Sequence, residues 1–377
     1  MDSITQALLG GAIQGAMLGK KQGRRALLYG AVLATVPDLD ALVQYGDPIS
    51  NMTYHRGFSH SLFVLTALAA LLAWLIRKRW PDGPYSSRQL FVTLWLVLVT
   101  HPLLDSFTIY GTQLFWPLPL TPESWSAIFI IDPAYTLPLL IAVAWASLKG
   151  FSTRINHVLV GALFLTSIYL LSGLSGRMLA EQRVQAALRT QGIVVTQLRA
   201  VPMPYNILVW RVLAKSPDGH YYEAISSAFD RAPPEWIRHP RGLDLGHALE
   251  TMALHQRLQW FTDDWLRYEL VNGMLIVSDL RMGIPGLYSF RFVMAHCDSS
   301  GSLVPVTPSA WPSRMAGGAE ARLIFQRILH QQPPLPLREW TVRNLGNTDE
   351  LPKACPGRGT QARSVQDTHD RADALIH

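Results

Sequence analysis

Six apolar runs occupy the first 175 residues, at 7–19, 26–43, 61–76, 90–104, about 127–148 and 156–174. Beyond them the pattern changes to short alternating stretches divided by turn residues. A helix needs roughly 20 apolar residues to cross hydrocarbon, which makes the sixth run the cleanest span and the first a short one. That first run, Ala7 to Gly19, is rich in glycine and other small residues, which let helices approach closely in lipid and mark a packed inner helix. The fold class this predicts is mostly α. A polytopic membrane domain of about six helices fills 1–175, a small soluble α+β domain follows at 178–345, and a disordered tail covers 346–377, where the residues turn polar and rich in Pro, Gly and Arg.

In the second half, residues 178–190 read as a short polar helix. Ile193–Val201, Ile207–Ala214, Tyr221–Phe229 and Tyr288–Ala295 read as strands, with turn chemistry at Ser216-Pro217-Asp218-Gly219. Ala248, Met252, Leu258 and Phe261 keep approximate helical spacing across 247–261. Asn272-Gly273 between Arg267–Val271 and Met274–Asp279 is a hairpin signal.

Composition sharpens this division. Of the 377 residues 49% are hydrophobic and 16% charged, below the roughly 25% of ordinary soluble proteins. The formal net charge of +6 does not indicate nucleic acid, because the basic residues are scattered or flank apolar runs. They read as topology signals instead. The turns at 20–25, 77–89 and 149–154 hold ten Lys and Arg, whereas those at 44–60 and 105–126 hold only Arg56. The positive-inside rule puts the first set in the cytoplasm and the second outside. Met1-Asp2-Ser3-Ile4-Thr5-Gln6 lacks the basic region and cleavage site of a signal peptide, so these residues are expected to be kept. Cys297 and Cys355 lie in the second half, where a disulfide and two free thiols are both open.

The chemistry-bearing residues gather on the outer side of this topology: Asp38, Asp40, His55, His60, His101, Asp105 and Asp132. His101 and Asp105 are four apart, so on a helix they share a face and can bind one ion; the alternative is a hydrogen-bonded pair that fixes helix packing. Asp38 and Asp40, two apart after a proline, cannot both face the same ion in an extended or turning backbone. The second would hold another ion or orient a histidine. His55 and His60 are too far apart for one helical face, but a turn at Gly57 could fold them together, with Ser59 capping the next helix. Mixed His and carboxylate donors suit zinc, with manganese or iron as competitors, and a carboxylate-bridged pair of ions would use about six such ligands. Arg56 is placed to hold an anionic oxygen or a lipid headgroup. Asp132, before Pro133, reads as a further ligand, a general base or a helix cap. Asp38, Arg56 and Asp132 are the candidates for a direct catalytic role; Asp40, His55, His60, His101 and Asp105 are the candidate metal ligands. Gly-x-Ser-x-Gly, a Walker-type loop and a dinucleotide fingerprint are absent, and Gly10, Gly11, Gly15 and Gly19 fit helix packing better than phosphate binding.

Several motifs occur in a fixed order: the N-terminal Met-Asp-Ser-Ile-Thr-Gln, Pro37-Asp38-Leu39-Asp40, His55-Arg56-Gly57-Phe58-Ser59-His60-Ser61, His101-Pro102-Leu103-Leu104-Asp105, Gly111-Thr112-Gln113-Leu114-Phe115-Trp116-Pro117 and Ile131-Asp132-Pro133. Over roughly residues 1–175 the chain resembles the bacterial inner-membrane, metal-dependent hydrolase family (YdjM-like). That family is in turn similar to zinc-dependent phospholipase C and single-strand nucleases. The resemblance implies clustered zinc held by His and Asp, with a His-x-x-x-Asp pair matched by His101 and Asp105, and Asp40 and His55 as partners on the same ion. One position departs: many members carry histidine after Asp-x-x-Thr, where this chain has Gln6, so a ligand there would be weakened or lost.

The expected function is metal-assisted hydrolysis of a phosphoester or lipid-linked substrate at the outer face of the inner membrane. Membrane lipid is the expected partner, and nucleic acid is not expected. The alternative is a non-catalytic, metal-stabilised scaffold that recruits a periplasmic partner through the C-terminal domain; a site closed by four protein ligands would favour it.

Overall fold

Each apolar run becomes a helix in the computed structural model, which describes residues 1–313, 317–331, 337–338, 340–341 and 355. The helices are α1 (Ser3–Gln22), α2 (Arg25–Thr35), a short α3 (Pro48–Tyr54) between runs, α4 (Leu62–Arg79), α5 (Ser87–Ser106), α6 (Pro133–Lys149) and α7 (Thr153–Thr190). The expectation of six spans is nevertheless corrected. Two helices, α5 and α7, are long and apolar enough to cross a membrane, or three spans if α3 and α4, bent by 45° at their junction, count as one. The physical reason is length. The second run breaks at Pro37, leaving an α2 of 11 residues that reaches only about 17 Å of the ~30 Å hydrocarbon thickness. α6 has 17 residues, and α1 ends in Lys20 and Lys21. The chain is about half helical rather than mostly α. The separate polar helix expected at 178–190 is the end of α7, because Ala180, Val184 and Leu188 keep a four-residue spacing and pack onto a sheet.

Small residues set the closest helix contact, between α1 and α2. A Cβ on Gly10 would lie 2.4 Å from both the Gly30 carbonyl oxygen and Ala34 Cβ, and one on Gly30 would lie 2.2 Å from the Gly10 oxygen. Backbone atoms cannot rotate aside, so Gly10→Val is expected to destabilise the helical half by about 3 kcal/mol, read as a lower thermal midpoint. Exposed Gly161, with open space around it and an ordinary helical backbone, is the control position.

The second half is α+β, as its alternating pattern predicts. Strands β1 (Gln197–Pro202), β2 (Val209–Lys215), β3 (His220–Ser227) and β4 (Trp236–Pro240) form one antiparallel sheet in chain order. Helices α8 (Leu243–Gly246) and α9 (Ala253–Thr262) lead into β5 (Leu266–Val271) and β6 (Met274–Asp279). A two-stranded ribbon of β7 (Gly283–Ile284) and β8 (Leu287–Tyr288) follows, then β9 (Arg291–Cys297), β10 (Leu303–Ala310) and α10 (Gly318–Leu329). The second sheet runs β10-β9-β6-β5. Its β5–β6 hairpin turns at Asn272 and Gly273, both at positive φ (52° and 72°), as a two-residue turn demands. The tail expected at 346–377 lies outside the described residues except for Cys355, which is disulfide-bonded to Cys297.

The core of this half contains charges that the sequence pattern does not reveal. Arg211 on β2 and Glu223 on β3 are fully buried, and the Arg211 Nε donates to Glu223 Oε1. Burial alone would raise the Glu223 carboxyl, but the Arg211 guanidinium outweighs it and holds the group at about 2, against an ordinary 4.5. Because the folded value is depressed, the stabilisation is complete above pH 4.5 and is lost as pH falls from about 4.5 towards 2. Unfolding of the β half, followed by tryptophan fluorescence, should show that loss, and Glu223→Gln should flatten it.

Candidate metal centre

After α2 the chain cannot continue as α-helix past Pro37 and tightens into a 3-10 turn over Pro37–Leu42. With three residues per turn, Asp38 and Asp40 point in different directions. Asp38 faces inward to α5, while Asp40 faces the histidine loop that joins α3 to α4. That loop is folded around Asp40. His55 Nδ1 lies 2.9 Å from Asp40 Oδ1, the Arg56 amide donates to Oδ2 at 3.0 Å, and Ser59 Oγ donates to Oδ2 at 2.5 Å. Arg56 adopts φ +62°, a conformation that costs a side-chain-bearing residue energy. It is held there by its amide bond to Asp40 and by the Gln113 amide donating to its carbonyl. The Gly111–Pro117 segment therefore braces the loop: Gln113 Nε2 also donates to the Thr53 carbonyl at 2.8 Å, and Ser61 Oγ donates to the Trp116 carbonyl at 2.7 Å. Ser61, rather than Ser59, caps α4.

His60, His101 and Asp105 converge with Asp38 at the end of α5. Among the described residues, these four offer ligand atoms that all lie within 4.8 Å of one another. The Nε2 atoms of His60 and His101 are 3.2 Å apart. Asp38 Oδ1 lies 3.5 Å from His60 Nε2 and 3.3 Å from His101 Nε2; Asp105 Oδ2 lies 3.3 Å and 3.5 Å from the same atoms. The side chains of His60, His101 and Asp105 are completely buried. A second group, Asp38, Asp40 and His55, shares Asp38 with the first and is half-exposed. Burial works against the charge of Asp40, but hydrogen bonds from His55, His60 and Ser59 outweigh it and hold its carboxyl below the ordinary range.

The hydrogen bonds assign the tautomers. His101 Nδ1 lies 2.6 Å from the Ala34 carbonyl, which can only accept, so Nδ1 carries the proton. Ser59 gives its hydroxyl proton to Asp40, so at 2.9 Å it accepts from His60 Nδ1. Both Nε2 lone pairs then point at each other and at two carboxylate oxygens, and Asp105 Oδ2 has no hydrogen-bond donor. Four converging acceptors require positive charge between them. A proton can serve one or two of them, whereas a divalent cation serves all four, and the donor set of two imidazole nitrogens and two carboxylates suits one. The His/Asp group could therefore bind a metal ion.

The remaining candidates have other surroundings. Arg56 is buried, with Nη2 3.2 Å from Asp105 Oδ1 and its guanidinium 5.0 Å from the Tyr110 ring centre. Gln6 donates to Asp105 Oδ1 and to the His101 carbonyl, each at 3.2 Å, and the Met1 amino group also contacts Asp105 Oδ1. Three donors thus hold Oδ1 and leave Oδ2 for the cluster. Asp132 is not in either group. It caps α6 through the Ala134 and Tyr135 amides and accepts from Tyr169. Sequence reasoning did not single out Ser59 as the partner of His60, nor Arg257 of α9, whose Nε donates to Thr53 Oγ1 at 2.5 Å while its guanidinium stacks on Tyr54. No local pattern announces a contact across 204 residues.

Comparison with known proteins agrees on where this chain belongs. The profile of the YdjM inner membrane protein family matches residues 1–179, which contain the whole His/Asp cluster. The chain is 33% identical to the inner membrane protein YbcI of Escherichia coli over 137 residues, 36% of this chain and 72% of that protein. It is 28% identical to the uncharacterized protein YfhP of Bacillus subtilis over 156 residues, 38% of this chain and 46% of that one. No solved structure matches. The relatives and the apolar helices support the inner membrane as location, and the chain belongs to the YdjM inner membrane protein family.

Proposed function

We propose that this protein is a membrane-bound, metal-dependent hydrolase acting on a phosphoester or lipid-linked substrate at the extracytoplasmic face, with zinc as the ion. The observation that carries this reading is the convergence of two imidazole lone pairs and two carboxylate oxygens on one buried point. Asp38, His60, His101 and Asp105 would hold the ion, which supplies Lewis acidity, acidifying water and drawing charge from a phosphoryl oxygen. The chain's own residues set that point up. Ala34 and Ser59 fix the histidine tautomers; Arg56 and Gln6 occupy Asp105 Oδ1; Asp40 ties His55, Arg56 and Ser59 into one loop. His55, a quarter exposed, stands between this loop and a cavity that opens above it, in position to accept or deliver a proton. The outward orientation is supported by the ten basic residues of the alternate turns and by the Cys297–Cys355 disulfide, a bond that persists in oxidising compartments. The test is hydrolysis of a chromogenic phosphodiester by the purified full chain: activity is expected that chelation abolishes and zinc restores.

One feature favours a second reading, a structural ion in a scaffold. Four protein donors are enough to close a tetrahedral zinc site. In that case the metal-loaded protein would hydrolyse no phosphodiester, and chelation would lower the melting midpoint without any activity to lose.

A further inference from the structure

The C-terminal half does more than follow the helices: it walls the space above the His/Asp cluster. α9 grips α3 through Arg257, and Tyr110, from the loop after α5, packs edge-on against Phe261 and Phe290. Two cavities lie at this seam. One, of about 450 Å³, is bounded by Asp40 and His55 below and by Arg291 and Trp311 of the C-terminal half above. The other, of about 510 Å³, is mostly apolar, with Phe129, Ile130, Ile284, Leu287 and Ile324 in its wall. Tyr110, Ser289 and Ser313 line both. Each volume is in the range of small-molecule sites, roughly 300–1,000 Å³.

The two chambers differ in the chemistry they favour. In the chamber beside His55, Arg291 is part of the wall; behind it Arg291 Nη2 donates to Glu269 Oε1, while the fully buried Arg267 Nη2 lies 3.3 Å from Oε2 of the same carboxylate. Arg291, whose side chain is 17% exposed, presents a guanidinium to this chamber across from the Asp40–His55 pair, and that guanidinium suits an anion. The other is walled mostly by apolar side chains, which suit a hydrocarbon, alongside Thr108, Ser289 and Ser313. Around the same end of the molecule Leu39, Leu42, Phe58, Leu118 and Leu120 are exposed, an apolar rim of the kind that meets a membrane surface.

We propose that the paired cavities bind one anionic amphiphile, its headgroup between His55 and Arg291 and its hydrocarbon against Ile130, Ile284 and Leu287. This makes the C-terminal half part of the binding site. As a statement about substrate it rests on the hydrolase reading; as a statement about binding it stands by itself.

The test uses the full chain in phosphatidylcholine nanodiscs and an alkyl phosphate with a diazirine in its tail, mapped by peptide mass spectrometry after photolysis. Labelling is expected at 129–130 and 282–289, competed by dodecyl phosphate and not by inorganic phosphate. Leu287→Trp, filling the apolar chamber, should reduce that labelling several-fold, and Arg291→Gln should weaken competition by about tenfold, the loss of one charged hydrogen bond. His101→Ala, which touches neither cavity, separates the two readings. Cavity labelling that survives in this metal-free variant supports the amphiphile site on its own, and a parent protein that labels in the cavities yet hydrolyses no phosphodiester leaves that site standing while the hydrolase reading fails. Labelling confined to the outer faces of α5 and α7, or competition by inorganic phosphate alone, overturns the proposal even if metal is bound. The competition arm needs no variant, so misfolding of Leu287→Trp would not shield the proposal.

Discussion

His60→Ala is expected to lower zinc affinity on the order of a thousandfold, whereas His55→Ala should cost only ten- to a hundredfold. The difference follows from position. His60 Nε2 is buried and faces His101 Nε2 at 3.2 Å, so its loss removes a donor; structural zinc sites bind with about 10–16 kcal/mol, a few kcal/mol for each of four donors. His55 faces Asp40 at the half-exposed edge and supports the loop, and such supporting partners tune affinity more gently. Competition with a zinc chelator on both variants gives the ratio. Equal losses would mean that Asp40 and His55 hold an ion as strongly as the buried group does.

How much of this site is legible in the sequence depends on how local the geometry is. His101 and Asp105 are separated by one helical turn, so their common face is readable from spacing. That the run containing Gly10 packs closely against another helix is readable too, because small residues in an apolar run allow such approach; that the partner is α2 is not. The division of labour between Asp38 and Asp40 is only half readable: a proline and a two-residue gap say that the side chains diverge, but not that the 3-10 turn sends Asp38 to His60 and His101 and Asp40 to His55. The expected grouping of Asp40 and His55 with His101 and Asp105 came from resemblance, and the structure instead sets His60 and Asp38 beside His101 and Asp105.

Arg211→Ala is expected to destabilise the β half by about 3–5 kcal/mol, enough to unfold it near physiological temperature. Arg211 is fully buried, donating to Glu223 and, at 2.6 Å, to the carbonyl of Leu280 just after β6. Truncation leaves the Glu223 carboxylate buried without its cation, and breaking one half of a buried pair costs far more than the pair contributes. Arg211→Ala together with Glu223→Ala should recover part of the loss, because the stranded charge goes too. Denaturant melts of the single and double variants measure both effects; a single variant within 1 kcal/mol of the parent would show that the pair bears no load.

The β half illustrates where pattern reading stops. The Asn272-Gly273 hairpin is readable because its turn dictates residue type. β10 is not, since Pro305 and Pro308 argue against a strand, and the chain accommodates them at an irregularity in its pairing with β9. Arg211, Glu223 and Arg267 read as surface positions because charge ordinarily marks solvent; here cross-strand partners bury them. The six-span expectation failed on length, since run composition does not show where a helix ends when proline or lysine falls inside the run.

The metal content of this chain, purified without chelator and measured by inductively coupled plasma mass spectrometry, tests the His/Asp site most directly. About one equivalent of zinc or another transition metal, lost in His101→Ala, is the predicted result. Well below one equivalent, unchanged by that substitution, would contradict it.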